Sequence, residues 1–284
     1  MRRASRLLAA CFVPAFLVGL TLPAIAPPAA ADDAVDLELV LAADVSLSMD
    51  IRELTLQRQG YAAAIESPEV LEAIKSGYNG AIAVVFMEWA GVGSHHVTVP
   101  WQRLASADDA HRFAAAIRGA PLNRARRTSI AYALQVSLDL FDGNGFEGFR
   151  RVIDVSGDGP NNQGEPVLAV RERVLEAGVT INGLPMMLDP IPVDWFNVPD
   201  LDVYYQECVI GGWGSFTIPI QAIEEFEEAI RRKLILEIAG LTPPQPLRPM
   251  RAQFGGGDSH QFSPNGYDCM SGERRWMQRM QRFD

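Results

Sequence analysis

The sequence predicts a doubly wound α/β fold, in which helices cover both faces of a mostly parallel six-stranded sheet. Two observations lead to this prediction. Strand-like and helix-like patterns alternate along the chain, as they do where helical crossovers join parallel strands. The strand-like runs are apolar throughout, as at residues 81–87. Such runs are typical of strands buried on both faces.

The predicted elements follow in chain order. Strands are expected at 37–43, 80–88, 95–99, 150–156, 179–184 and 214–219. Helices are expected at 50–75, 106–118, 129–141, 165–177 and 220–239. The last helix has acidic residues in its first half and basic residues in its second, an order that the helix dipole favours.

The N-terminal residues 1–31 have the pattern of an export signal. Three arginines precede an apolar run at 7–22, and three alanines at 29–31 form a small-residue cleavage site. The apolar run is short for a membrane span and contains Pro14. We therefore expect cleavage after residue 31 and a periplasmic or secreted product.

The remaining chain divides by composition into a domain and a tail. Helical and strand periodicity continues over 32–240. The tail, 241–284, is rich in proline and then glycine, and a short helix is expected from residue 271 onward. The connection at 186–212 is longer than usual, which favours a functional or covering loop. Its Tyr204, Tyr205 and Cys208 indicate that it is packed on the domain.

Charge and cysteine content restrict the possible functions. The formal net charge is −10 and becomes more negative once the signal is removed, so nucleic acid and anionic lipid are poor partners. No later apolar stretch is long enough to cross a membrane. Cys208 and Cys269 remain after cleavage. In an oxidising compartment they are expected to form a disulfide that ties the tail to the domain, the alternative being two separate thiols.

The most informative segment is Asp-Val-Ser-Leu-Ser at residues 44–48. It follows an apolar strand and precedes a helix that Asp50 and Glu53 would open as a capping box. Ligands of open α/β sheets bind at the carboxyl ends of the strands. A carboxylate and two hydroxyls at that place predict a site for a hard divalent cation.

Two later segments complete the pattern. Thr128 precedes a predicted helix, and Asp158 follows a predicted strand in the sequence Ser-Gly-Asp-Gly. Serine, threonine and aspartate are also common helix caps, so the alternative is that these residues only cap helices and fill turns. Three such segments in this order, each at a strand or helix boundary, favour the metal site.

Together, Asp-x-Ser-x-Ser, a later Thr and a strand-end Asp-Gly resemble the metal-ion-dependent adhesion site of von Willebrand factor type A domains. The resemblance covers about residues 36–240. Residues 154–162 and 208–212 resemble, more narrowly, an exported bacterial family of type A-like domains with no assigned role. The resemblance implies a metal site formed by Asp44, Ser46, Ser48, Thr128 and Asp158.

The same resemblance implies a ligand chemistry and a partner. Mg²⁺ is the expected ion, with Ca²⁺ or Mn²⁺ as alternatives, since such all-oxygen sites discriminate poorly. Whether Asp44 and Asp158 bind it directly or through water stays open. In the family the ion bridges the domain to an acidic residue of a protein ligand.

Further residues are expected around the rim of the site. They are Asp154, Asn161, Asn162, Glu88, Trp89 and Arg127. Asp154 is either an additional site residue or a buried partner for a backbone group. Trp89 would be a contact residue if exposed and a core residue if buried. Arg127 and its neighbours Arg124 and Arg126 either attract an acidic ligand or form a solvated basic loop.

Three functions are compatible with these residues. The favoured one is an exported protein-binding module, because the chain has no Gly-x-Ser-x-Gly elbow and no phosphate loop. The second is a magnesium-dependent hydrolase of phosphate esters using Asp44 with Asp154 or Asp158. Phosphotransferases of the haloacid dehalogenase type need Asp-x-Asp, where this chain has Ser46. The third is a scaffold without a functional metal.

Overall fold

The structure is a computed structural model that describes residues 33–188, 198–243 and 261–283. The expected signal at 1–31 lies outside these residues, as does part of the expected tail, 244–260. Within the described ranges, no helix has the length and apolar character needed to cross a bilayer.

In the described ranges, seven strands form one large sheet and one small one. The strands are β1 (Asp33–Val35), β2 (Leu37–Asp44), β3 (Ile82–Trp89), β4 (His95–Leu104), β5 (Phe146–Gly148), β6 (Arg151–Gly157) and β7 (Thr180–Pro185). The large sheet has the order β4-β3-β2-β6-β7, while β1 pairs with β5. Only the edge strand β4 runs antiparallel to its neighbour.

Helices cover both faces of the large sheet. They are α1 (Ile51–Glu66), α2 (Pro68–Lys75), α3 (Ala107–Gly119), α4 (Ile130–Asp139), α5 (Val167–Glu176), α6 (Leu201–Tyr204), α7 (Phe226–Ala239) and α8 (Ser271–Phe283). Apolar residues of α1, α2, α3 and α7 pack with one face of the sheet, and those of α4, α5 and α6 with the other.

The central strand β2 shows why the fold is doubly wound. All eight of its residues are buried. Leu39 and Leu41 pack in the core on the α1 side, while Val40 and Ala42 pack on the α4 side, because successive side chains of a strand point to opposite faces. The predicted α/β class and mostly parallel sheet are therefore confirmed.

Two predicted elements differ from the observed ones. The single helix expected at 50–75 is divided, because Pro68 restricts the residue before it and Ser67 is extended. Ser67 then caps α2 through the Val70 N–H. The strand expected at 214–219 is reduced to isolated bridges such as Thr217 with Gly183, so the large sheet has five strands. Proline at 219 has no N–H to donate to a ladder.

A disulfide joins the segment 198–212 to the C-terminal tail, as the sequence predicts. After α6, a π-helical turn (Tyr205–Val209) buries Cys208. Cys208 is disulfide-bonded to Cys269, with their Cα atoms 5.5 Å apart. The bond lies immediately before α8, which confirms both the predicted pairing and the predicted C-terminal helix.

Candidate metal centre

The first and third predicted segments lie side by side because their strands are neighbours. β2 pairs with β6 in parallel, with Ala43 opposite Ser156, so the turns that follow Asp44 and Gly157 leave the same edge of the sheet. Asp44 closes its own turn, since its Oδ1 accepts from the Ser46 N–H at 2.7 Å.

A chain of hydroxyls joins these two turns. Ser46 Oγ lies 2.8 Å from Ser48 Oγ, and Ser48 Oγ donates to Asp158 Oδ1 at 2.8 Å. Four of the five predicted metal-binding residues therefore form one connected polar cluster, spanning two turns that are far apart in sequence.

Thr128, the fifth predicted residue, is held by the loop that follows Asp158. Its N–H donates to Asn162 Oδ1 at 3.0 Å, and its carbonyl accepts from the Asn162 N–H at 2.9 Å. On the other side, the Ala125 N–H donates to the Val45 carbonyl at 3.1 Å. Arg127 turns the chain into Thr128 with a φ of +75°, a left-handed conformation that non-glycine residues rarely adopt.

The three turns surround a pocket of about 380 Å³. Its volume lies in the range of ligand-binding cavities. It is lined by Ser46, Leu47, Ser48, Arg126, Arg127, Thr128, Gly159, Pro160, Asn162 and Trp276. The structure thus brings the predicted hydroxyl residues to a common cavity, and α8 adds a residue from the tail.

The charge at the base of this cluster is poorly compensated. Asp44 is completely buried, and its Oδ2 has no hydrogen-bond donor. Burial raises the pKa of Asp44 well above its ordinary value, and the nearby negative charge of Asp158 raises it further. An added Cβ on Gly157 would lie 2.9 Å from Asp44 Oδ2, so the backbone fits closely around this oxygen.

These residues fit a divalent cation. A buried carboxylate is costly unless a cation or several donors compensate it, and serine, threonine and aspartate oxygens suit Mg²⁺. Among the described residues, no three His, Cys, Asp or Glu side chains converge on one point. Hydroxyls and water would therefore have to supply much of the coordination.

The predicted asparagines have separate roles. Asn162 lines the pocket. Asn161 is fully buried behind it, where its Oδ1 accepts from the Ala131 N–H at 3.1 Å and its Nδ2 donates to Glu273 at 2.6 Å. Asn161 therefore connects the loop that follows β6 to α4 and α8.

Glu88 and Trp89 do not lie on the rim, contrary to expectation. Trp89 is fully buried in the core on the α4 side. Glu88 is buried as well and accepts from Arg58 Nε at 2.7 Å. The reason is that both residues still lie within β3, whose two faces are covered by helices: Trp89 packs on the α4 side and Glu88 reaches Arg58 of α1.

Asp154 is also absent from the rim, because it lies within β6 and not at its end. It is buried, and its Oδ1 lies 2.6 Å from Lys233 Nζ. Lys233 also pairs with Glu237, which accepts from Asn182 Nδ2 at 2.9 Å. The predicted alternative of a buried partner is correct, but the partner is a lysine and not a backbone group.

Two groups of functional interest were not predicted. Lys233 and Glu237 continue the buried stripe of α7 through Phe226 and Ile230 at spacings of three and four, a signal that the sequence contains. Trp276 and Glu273 reach the site only through the long-range docking of α8, which no local pattern indicates.

Known proteins share this architecture at low sequence identity. The pilus adhesin SpaC from Lactobacillus rhamnosus GG has a TM-score of 0.55 and 11% identity, over 73% of this chain and 31% of that one. The vWF domain of Mfa5, the type V pili tip protein from Porphyromonas gingivalis, has a TM-score of 0.50 and 9% identity, over 75% and 98%.

A third similar structure is proximal thread matrix protein 1 (PTMP1) from the mussel byssus, solved with a zinc-occupied MIDAS motif. Its TM-score is 0.50 and its identity 13%, over 73% of this chain and 47% of that one. This chain thus spans about half the length of PTMP1 or less, and under a third of SpaC. No curated protein sequence matches it.

The family model described as "Protein of unknown function (DUF1194)" matches residues 34–242, which are most of the chain. The structural likenesses add the fold, since a mostly parallel central sheet flanked by helices matches the similar von Willebrand factor type A structures. The chain therefore belongs to the DUF1194 family and has the von Willebrand factor type A fold.

Proposed function

We propose that this protein is an exported module that binds a partner protein through a divalent cation. The oxygen ligands of the site suit Mg²⁺. The observation that carries the proposal is the buried Asp44 carboxylate, whose free oxygen lies beneath a hydroxyl cluster that opens into a pocket. The partner would offer an acidic side chain.

Each residue has a specific part in this proposal. Ser46, Ser48 and Thr128 would hold the cation through hydroxyl oxygens, with Asp44 and Asp158 supplying negative charge directly or through water. When bound, the cation supplies positive charge with a coordination position that an external carboxylate can fill. Asn162 holds Thr128 in place through hydrogen bonds to both its backbone N–H and its backbone carbonyl.

The similar structures support an interaction role. SpaC is a pilus adhesin, Mfa5 is a pili tip protein, and PTMP1 has a zinc-occupied MIDAS motif. In keeping with an exported module, we propose cleavage of residues 1–31 and a domain at 32–240. The compartment would be the periplasm or the cell exterior.

One observation disfavours the hydrolase alternative. Phosphoryl transfer of the haloacid dehalogenase type would need a lysine at the site, and the sequence has only Lys75 and Lys233. Lys233 is buried against Asp154 and Glu237, and Lys75 ends α2. We expect no magnesium-dependent turnover of a generic phosphate ester.

The test is calorimetric titration of the mature chain with Mg²⁺ and Mn²⁺. The Ser46→Ala, Ser48→Ala double variant should lose binding. Ser76→Ala, which alters an exposed hydroxyl at the end of α2, should retain it. Equal metal affinity in the double variant would refute the site, and partner capture that persists in Asp44→Ala and Thr128→Ala would refute the metal bridge.

A further inference from the structure

The C-terminal helix α8 lies directly against the loop that completes the metal centre. Glu273 Oε1 accepts from Asn161 Nδ2 at 2.6 Å. Asn161 directly precedes Asn162, the residue that holds Thr128. At Gly272 a Cβ would lie only 2.1 Å from the Asn161 carbonyl oxygen. The helix therefore approaches this loop as closely as a glycine allows.

The residues ahead of α8 are fastened to the covering segment. Cys269 is covalently bonded to Cys208. Glu207 accepts from Ser263 Oγ at 2.8 Å and from Asn265 Nδ2 at 2.9 Å. Because these contacts join α8 to the π-helical turn, whose Cys208 is fully buried, and include a covalent bond, α8 has a fixed position on the domain.

The side chain that α8 brings to the metal pocket is Trp276. It lines the same cavity as Ser46, Ser48 and Thr128. The guanidinium carbon of Arg127 lies 3.2 Å from the centre of its ring, so an arginine and an indole form one stacked wall. The cavity beside this wall is open at about 380 Å³, enough space for a ligand side chain.

The surface around this wall combines positive charge with exposed apolar groups. Arg126 and Arg127 line the pocket in a chain whose net charge is −10. Arg279 and Met280 follow Trp276 at three and four residues, which places them on the same side of the helix. Met280 is 49% exposed, and Leu47, at the opposite wall, is 47% exposed.

We infer that α8 forms the second half of the partner-binding surface and that Trp276 is a residue that determines specificity. The occupant is an acidic segment of a partner protein. One carboxylate would reach the metal centre, an apolar side chain would pack on Trp276 and Leu47, and a further carboxylate would face Arg126 or Arg279. This inference rests on the proposed function and names the partner class for the same site.

The experiment uses a labelled acidic octapeptide, Glu-Glu-Leu-Glu-Glu-Leu-Glu-Glu, titrated by fluorescence anisotropy in saturating magnesium. Trp276→Ala and Arg279→Gln should each weaken binding about tenfold or more, since buried aromatic and arginine contacts dominate such surfaces. Their magnesium affinity, measured by calorimetry, should equal that of the wild type. Met277→Ala alters an exposed residue of the same helix and should change neither quantity.

The outcomes separate the two proposals. Wild-type peptide affinity in both variants, together with loss in Asp44→Ala, would overturn the role of α8 and leave the metal-dependent module intact. A wild-type chain that binds magnesium but not the peptide would overturn the acidic partner. A chain that binds no magnesium would overturn both. If Trp276→Ala fails to fold, Trp276→Phe, which replaces the indole by a smaller aromatic ring, and Arg279→Gln decide the question. Weaker peptide binding at unchanged magnesium affinity would support the role of α8, and wild-type peptide affinity in both would overturn it.

Discussion

Two carboxylate clusters, each built around a buried aspartate, lie on neighbouring strands of this sheet and differ in how their charge is compensated. The Asp154 cluster, made of Asp154, Lys233 and Glu237, contains its own cation. The Asp44 cluster, made of Asp44, Ser46, Ser48 and Asp158, is joined by hydroxyls. Within the described residues, no lysine or arginine forms an ion pair with Asp44.

The pKa shifts reflect this difference. Burial raises the pKa of Asp154, and the charge of Lys233 acts against that rise. Burial also raises the pKa of Asp44, but there the next contribution, from Asp158, acts in the same direction. Lys233 already compensates the buried charge of Asp154 within the protein. The buried charge of Asp44 would instead be stabilised by a cation supplied from outside.

Removing the cation of the Asp154 cluster should have the largest effect. Lys233→Met would leave two buried acids without a cation, and we expect a loss of about 3–5 kcal/mol in the free energy of unfolding. Urea denaturation at pH 8 would measure it. The loss should shrink at pH 5, because the acids can then be protonated.

A matched control for this prediction is Lys75→Met, at an exposed position, which should stay within about 0.5 kcal/mol of the wild type. An equally small loss in Lys233→Met would contradict the view that the Asp154 cluster stabilises the fold.

The paired variants Asp44→Asn and Asp154→Asn test the comparison directly. With magnesium at about 100 times its dissociation constant, the wild type should gain about 2.7 kcal/mol of stability. Asp44→Asn should lose this gain. Without magnesium, its free energy of unfolding should be no lower than that of the wild type, because a buried charge is removed. Asp154→Asn should keep the gain.

Thermal melting with and without magnesium would measure both variants. The roles assigned to the two clusters would be contradicted if magnesium stabilised Asp44→Asn. They would also be contradicted if Asp154→Asn were the variant that loses the stabilisation.

Glu273 provides an intermediate case, because its partner is an amide and not a cation. Burial raises its pKa from 4.5 to about 7, against the hydrogen bond from Asn161. The fold therefore favours the protonated acid. This contribution is complete below about pH 4.5 and is lost as the pH rises through about 7.

Glu273→Gln keeps the size and the acceptor oxygen but removes the titration. Relative to this variant, the wild type should lose on the order of 2 kcal/mol of stability between pH 5 and pH 8. Chemical denaturation at both pH values would show it. The pKa of Glu237 is also raised to about 7, but this residue is present in both proteins, so its contribution cancels in the difference between their stabilities. Parallel pH profiles would contradict the prediction.

The sequence by itself determined the fold class and indicated the residues of the candidate metal centre. Buried parallel strands are apolar on both faces, so β2 and β3 are evident from composition. Asp44 and Asp158 follow directly on such strands, and carboxyl ends of neighbouring parallel strands meet at one edge. These features depend on local order along the chain, which a sequence states explicitly.

The tertiary structure alone decided which of the expected rim residues lie near the candidate metal centre. Asp154 and Asp158 are four residues apart, yet one faces Lys233 of α7 and the other Ser48. Trp89 was expected at the rim and is buried, while Trp276 arrives from the far end of the chain. These assignments depend on which distant elements pack together, because charge compensation and burial act through space and local sequence order does not encode them.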